Sequence, residues 1–182
     1  MAAIDPAIYE EMEISAETTD GSGKTIDLKL GVVKFNYYED LFSPTITAQM
    51  LIVSAGGATK TNERGEGTDV LDTVYSGLPI RGGERVRIKI KPNSNTNIPL
   101  EFDTPEKYFY VSNVARQFSD GSKEIFTLDL VSREAITNET SRVVRRYPKE
   151  SKISDHVKTI ITEALASTIE DRDIDETVNT YG

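Results

Sequence analysis

The residues suited by type to chemistry are few. Gly21-Ser22-Gly23-Lys24-Thr25 has the glycines and lysine of a phosphate-cradling loop, in which backbone N–H groups wrap an anion at a helix N-terminus. The position that should carry the first glycine of that pattern holds Thr18, and alternating residues follow where a helix should begin. A hairpin turn is the expectation instead. His156, the one histidine, stands beside Asp155, and an Asp–His pair can move protons. Adjacent positions on a helix do not face one another, so a surface helix is the expected setting. Glu10-Glu11 and Glu39-Asp40 are carboxylate pairs, yet glycoside hydrolysis needs two carboxyl groups facing each other roughly 5–9.5 Å apart across a cleft. Adjacency supplies no such geometry. The chain has no cysteine, so no disulfide, thiolate nucleophile or usual zinc spacing can be written. No catalytic residue, cofactor or metal site is expected.

Two groups remain as candidates for contact with other molecules. Arg85, Arg87, Lys89 and Lys91 alternate with Val86, Ile88 and Ile90, which places four cations on one side of one strand. Such a row suits an acidic partner, an adjacent subunit or nucleic acid, and equally suits pairing with acidic residues on a neighbouring strand. Arg142, Arg145 and Arg146 form a second basic cluster that reads as surface linker. Tyr37, Tyr38, Leu41 and Phe42 crowd around a turn-forming sequence ending in Ser43-Pro44. Large apolar side chains of this kind dominate interfaces and also cores, and both readings stand.

These groups must be held by elements that the alternation pattern defines. Residues 8–17 and 25–38 read as two strands, with Ile26, Leu28 and Leu30 on one side, joined as a hairpin through Asp20-Gly21-Ser22-Gly23. Residues 45–54 read as a third strand with Ile46, Ala48, Met50 and Ile52 on one face. The glycine-rich stretch 55–67 is expected as a mobile surface loop, and residues 68–75 as a short helix ended by Gly77 and Pro79. Residues 84–91 read as a half-buried strand, 98–102 as a short piece, and 107–118 with 123–131 as a hairpin around Ser119-Asp120-Gly121-Ser122, with Phe126, Leu128 and Leu130 inward. A short helix is expected from Ser132, acting as a cap, to Ile136. Residues 152–166 place Ile153, Val157, Ile160, Ile161, Ala164 and Leu165 on the stripe of an amphipathic helix. The expected fold class is mainly β, an antiparallel barrel or sandwich, with minor α.

Length and charge bound the rest. A chain of 182 residues supports one main domain with an appendage. With 21 Lys+Arg against 30 Asp+Glu, the formal charge is −9, and a surface of that sign repels phosphate. Specific duplex binding is disfavoured, while a wall past which nucleic acid slides is permitted. The first residues lack the pattern of a secretion signal, and no apolar run approaches the ~20 residues of a membrane span. A cytoplasm-like phase is the expected setting.

Taken in order, Tyr38-Glu39-Asp40-Leu41-Phe42-Ser43-Pro44 and Leu78-Pro79-Ile80-Arg81-Gly82-Gly83-Glu84, the latter leading a basic alternating strand, resemble the baseplate hub proteins of contractile-tailed, myovirus-type bacteriophages. Leu130-Val131-Ser132-Arg133-Glu134-Ala135-Ile136-Thr137-Asn138 and Lys152-Ile153-Ser154-Asp155 continue the resemblance. It covers residues 8–166, through short non-catalytic motifs whose order and spacing carry it. The resemblance implies a tube-type β-barrel over residues 1–132. Residues 133–182 would then be a helical linker or the start of a following domain, with the chain cut short of the family's second barrel. It implies a non-enzymatic virion protein assembled in the host cytoplasm and placed in the tail baseplate. There a homotrimer would join the sixfold tail tube to the membrane-piercing spike. Tail tube protein, central spike protein and baseplate wedge proteins are the implied partners, with DNA passing through the lumen without specific binding. A tail-tube or tube-initiator protein forming hexameric rings and a spike-associated cell-wall hydrolase are the alternatives. The aromatic cluster Tyr37, Tyr38, Leu41, Phe42 and the basic row are the candidate subunit contacts.

Overall fold

The computed structural model describes residues 7–16, 25–43, 45–55, 59–61, 67–69, 73–74, 78, 80–93, 97–119, 123–167 and 174–180. The chain divides into two compact units, Met1–Ser132 and Arg133–Gly182.

The first unit is an antiparallel sheet. Its strands are β1 (Ile8–Ser15), β2 (Thr25–Asp27), β3 (Val32–Tyr38), β4 (Thr47–Ser54), β5 (Thr59–Thr61), β6 (Gly67–Asp69), β7 (Arg85–Lys91), β8 (Leu100–Phe102), β9 (Phe109–Ser119) and β10 (Glu124–Ser132). They run side by side in the order β3-β4-β10-β9-β7-β1-β2-β5-β6, with β8 added on β7. The fold is mainly antiparallel β with minor α, and the sheet curls into a half-barrel. It stays open. Among the described residues, β3 ends the order on one side and β6 on the other.

Period-two alternation decides which face is inside. Ala48, Met50 and Ile52 of β4 and Phe126, Leu128 and Leu130 of β10 are buried and opposed in register, with Met50 opposite Leu128. Met12, Ile14, Ile26, Val86, Ile88, Phe109 and Val111 complete the wall of the core. Phe109 and Phe102 meet as tilted rings at 4.7 Å, a favoured aromatic geometry. β1 and β2 pair antiparallel, Glu13 opposite Asp27, as do β9 and β10. The connecting residues 17–24 and 120–122, including the glycine-lysine stretch, lie outside the described residues.

Three local expectations change. The stretch 25–38 is two strands, because the chain turns at Lys29–Gly31, where Gly31 N–H and Val32 N–H both donate to the Leu28 carbonyl (2.8 and 3.1 Å). Ile26 and Leu28 are buried, but Leu30 lies on the turn and is fully exposed. Within the expected loop 55–67, Thr59–Thr61 pairs with both Thr25–Ile26 and Gly67–Asp69. Thr68 and Asp69 therefore lie in a strand and begin no helix. Val74 is helical and its carbonyl accepts the Leu78 N–H at 2.9 Å; residues 70–72 and 75–77 of that expected helix lie outside the described residues.

The second unit holds α1 (Arg133–Thr140) and α2 (Ile153–Thr159), which runs into a π-helical turn, Ile160–Ala164. Ser132 is the last residue of β10, its N–H donating to the Ile46 carbonyl at 3.0 Å, so α1 begins after it. The expected amphipathic helix 152–166 is thus two hydrogen-bonding patterns. Its apolar stripe is shallow: Ile153 and Val157 are 42% and 38% exposed, and Ile160, Ile161, Ala164 and Leu165 are half-buried. The wider turn ends with Leu165 N–H on the Ile160 carbonyl at 3.2 Å and Ala166 at φ 51°. Residues Ser154 and Thr177 exchange hydrogen bonds (Ser154 N–H to Thr177 Oγ1, 3.2 Å; Thr177 N–H to Ser154 Oγ, 3.3 Å). A bridge between Lys152 and Thr180 lies beside them.

Candidate functional site

The basic row of β7 sits between acidic neighbours. The Arg87 guanidinium lies 3.1 Å from both Glu11 and Glu13 of β1, and Lys89 lies 3.5 Å from Glu101 and 3.9 Å from Asp103. The antiparallel register produces this, setting Glu13 opposite Arg87, Glu11 opposite Lys89, and Glu101 opposite Lys89 from the other side. The Lys89 ammonium is held above its ordinary pKa, chiefly by the Glu101 charge; desolvation opposes this, and Asp103, the hydrogen bond to Glu101 and Glu10 add to the rise. Arg85 is half-buried beside Tyr110 of β9. Lys91 lines an open depression of about 320 Å³ with Glu10, Lys89, Asn97 and Glu101. The row is therefore neutralised at Arg87 and Lys89 within the sheet itself, the cross-strand arrangement that stabilises a strand face.

The aromatic cluster separates into two environments. Tyr37 belongs to the core wall: its ring lies 5.7 Å from Phe102, and it packs against the buried cluster. Its hydroxyl donates to Glu39 Oε2 at 2.9 Å. Partial burial, then the hydrogen bond to Glu39 and the charge of that carboxylate, push the phenol up to about 12. Tyr38, Leu41 and Phe42 are 53%, 94% and 92% exposed. Asp40 makes the turn that presents them, its side chain accepting the Phe42 N–H at 2.9 Å and its carbonyl the Ser43 N–H at 3.0 Å. With Leu30 and Val33 they put five exposed large apolar side chains along or beside the open edge strand β3.

His156 is half-buried on α2. Its ring stacks on Tyr147 at 4.1 Å, and its Nε2 meets the Ser151 hydroxyl. That hydroxyl gives its single proton to the Pro148 carbonyl at 2.7 Å. Of the second basic cluster, Arg145 is bound to Glu163 at 2.5 Å, and that carboxylate raises the guanidinium further above its ordinary value. Among the described residues no cluster of three or more His, Asp or Glu could hold a metal ion. No described helix is long and apolar enough to cross a membrane.

Two features escaped sequence reasoning. Glu84, 7% exposed, receives the Arg81 and Gly82 N–H groups on its two carboxylate oxygens (2.7 and 2.9 Å). The only sequence signal is the Gly82-Gly83 pair, whose positive φ values of 108° and 88° the loop requires. On the outer face of the sheet, Asn36, Gln49, Asp129 and Asn113 form one row across β3, β4, β10 and β9. Polar residues at outward positions were visible; their alignment was not, since it depends on three registers.

These elements define an open, curled antiparallel β protein with an apolar edge. No protein family, curated protein or solved structure matches the chain.

Proposed function

We propose that this chain is a non-enzymatic structural protein of a contractile phage tail, a baseplate hub whose copies close into a ring through their sheet edges. The order of short motifs from Tyr38 to Asp155 supports the hub assignment. The observation that carries the assembly reading is the edge strand β3, flanked by exposed Leu30, Val33, Tyr38, Leu41 and Phe42. Isolated proteins blunt such edges with charges, prolines or covering loops, because bare backbone groups recruit other chains. Lys34 and the bulge between Val32 and Lys34 are the devices of that kind in this strand. A ring uses the edge by closing on itself. A homotrimer would join tail tube to spike, with tube, spike and wedge proteins as its neighbours and DNA passing through its lumen.

Light scattering of the purified chain, with class averages from electron microscopy, tests the reading. Threefold particles are expected of a hub. Sixfold particles would move the assignment to a tube or tube-initiator protein. A monomer at high concentration would overturn both.

A further inference from the structure

Between α1 and α2, residues 141–148 run without a turn, a bend or a strand partner among the described residues. Three contacts hold the segment: the Ser141 hydroxyl donates to the Ala164 carbonyl at 2.9 Å, Arg145 is bound to Glu163, and Tyr147 stacks on His156. The backbone N–H and C=O groups of residues 142–147 have no hydrogen-bond partner among the described residues. In an extended chain alternate side chains take opposite sides. Arg145 and Tyr147 share the side that meets α2 and its π-helical turn, and Arg142, Val144 and Arg146 share the other, all three exposed. Residues 141–149 hold four cations and no carboxylate, and of these cations Arg145 alone is ion-paired among the described residues. A local positive excess therefore stands in a chain that carries −9. An open hollow of about 220 Å³ lies beside it, lined by residues 142–145 with Tyr147, Thr159, Glu163 and Ala164. The Tyr147 hydroxyl is buried and lacks a hydrogen-bond partner.

We propose that residues 142–146 are the docking strand for an acidic, extended peptide of a partner protein, which pairs with them as an added β-strand. Bare backbone groups on an extended segment recruit such a strand through main-chain hydrogen bonds, and alternate side chains then set the choice of sequence. Directly opposed residues share a face, so the partner sets carboxylates against Arg142 and Arg146 and an apolar residue against Val144, 94% exposed. A guanidinium grips a carboxylate through paired N–H donors. The carboxylate on Arg142 comes beside the hollow, where the Tyr147 hydroxyl lacks an acceptor. A phosphate backbone would answer the cations but bring no N–H to the unpaired carbonyls, which favours a peptide.

The test is an NMR titration of the full chain with the end-capped peptide Glu-Thr-Val-Thr-Glu, compared with Lys-Thr-Val-Thr-Lys and with an oligothymidylate. Saturable binding of the acidic peptide is expected, with shifted amide signals at residues 142–146 and slower hydrogen exchange there at saturation. Arg142→Gln combined with Arg146→Gln should weaken binding by about tenfold or more with an unchanged circular dichroism spectrum. Val144→Pro keeps every charge and removes one backbone donor, so it should weaken binding too, an effect that attraction between charges alone would not give. Should that substitution disturb folding, the exchange measurement on the parent chain decides the pairing. No saturable binding of the acidic peptide, equal binding of the basic peptide or the oligothymidylate, affinity untouched by the arginine substitutions, or unchanged exchange at residues 142–146 would each overturn the proposal. The particle symmetry measured above is independent of this result.

Discussion

Glu84 holds the loop before its own strand, its carboxylate accepting the Arg81 backbone N–H at 2.7 Å from a position 7% exposed. The second oxygen takes the Gly82 N–H. Farther along, Gly83 N–H donates to the Val111 carbonyl at 2.7 Å and Val111 N–H to the Glu84 carbonyl at 2.9 Å. One side chain thus fixes the place where β7 enters the sheet against β9. Glu84→Ala leaves two loop N–H groups without their acceptor, and charge-assisted hydrogen bonds of this kind contribute roughly 1.5–3 kcal/mol each at most. A loss of about 2–3 kcal/mol is expected in urea unfolding, with a smaller loss for Glu84→Gln, which keeps one acceptor oxygen.

The raised phenol of Tyr37 makes a pH prediction. Its folded pKa of about 12 lies above the ordinary 10.0, so folding favours the protonated form. The contribution is fully present below pH 10 and is lost as pH rises through 12. A phenolate absorbance titration should show one tyrosine ionising later than the rest. Glu39→Gln should bring it partway down, because burial, the first cause, remains.

Gly31 stands where no side chain fits. A Cβ there would lie 2.8 Å from the Val53 backbone oxygen, and the Gly31 carbonyl itself accepts the Val53 N–H at 2.8 Å. Gly31→Ala should push β3 away from β4, seen as faster hydrogen exchange at β3 and β4 amides. Unchanged protection would count against the close approach.

Leu41→Ser and Phe42→Ser should leave unfolding free energy within about 0.5 kcal/mol of the parent, as surface substitutions do. If the β3 edge is the assembly surface, the same changes should shift the light-scattering mass toward monomer. An unfolding midpoint that falls sharply would show instead that these side chains pack within the unit.

Much of the fold was legible because strand alternation is a local property. The buried sets Ala48, Met50, Ile52 and Phe126, Leu128, Leu130 follow from counting every second residue, whichever strands become neighbours. The failures have a common cause. Leu30 obeys the count that buries Ile26 and Leu28, yet a turn intervenes and leaves it in solvent. Thr59–Thr61 and Gly67–Asp69 carry too little apolar content to announce a strand pair; backbone pairing with β2 makes one.

By itself the chain determined most of its inward and outward residues, its β class and the turn chemistry around Asp40. Only the tertiary structure decided what lies beside what. The register of β1 and β8 alone set Glu11 and Glu13 beside Arg87 and Glu101 beside Lys89. Tyr37 and Tyr38, adjacent in sequence, were parted into wall and surface. Side-chain periodicity acts between neighbouring residues, whereas strand pairing joins residues 74 or 80 positions apart, and only the folded chain selects among those pairings.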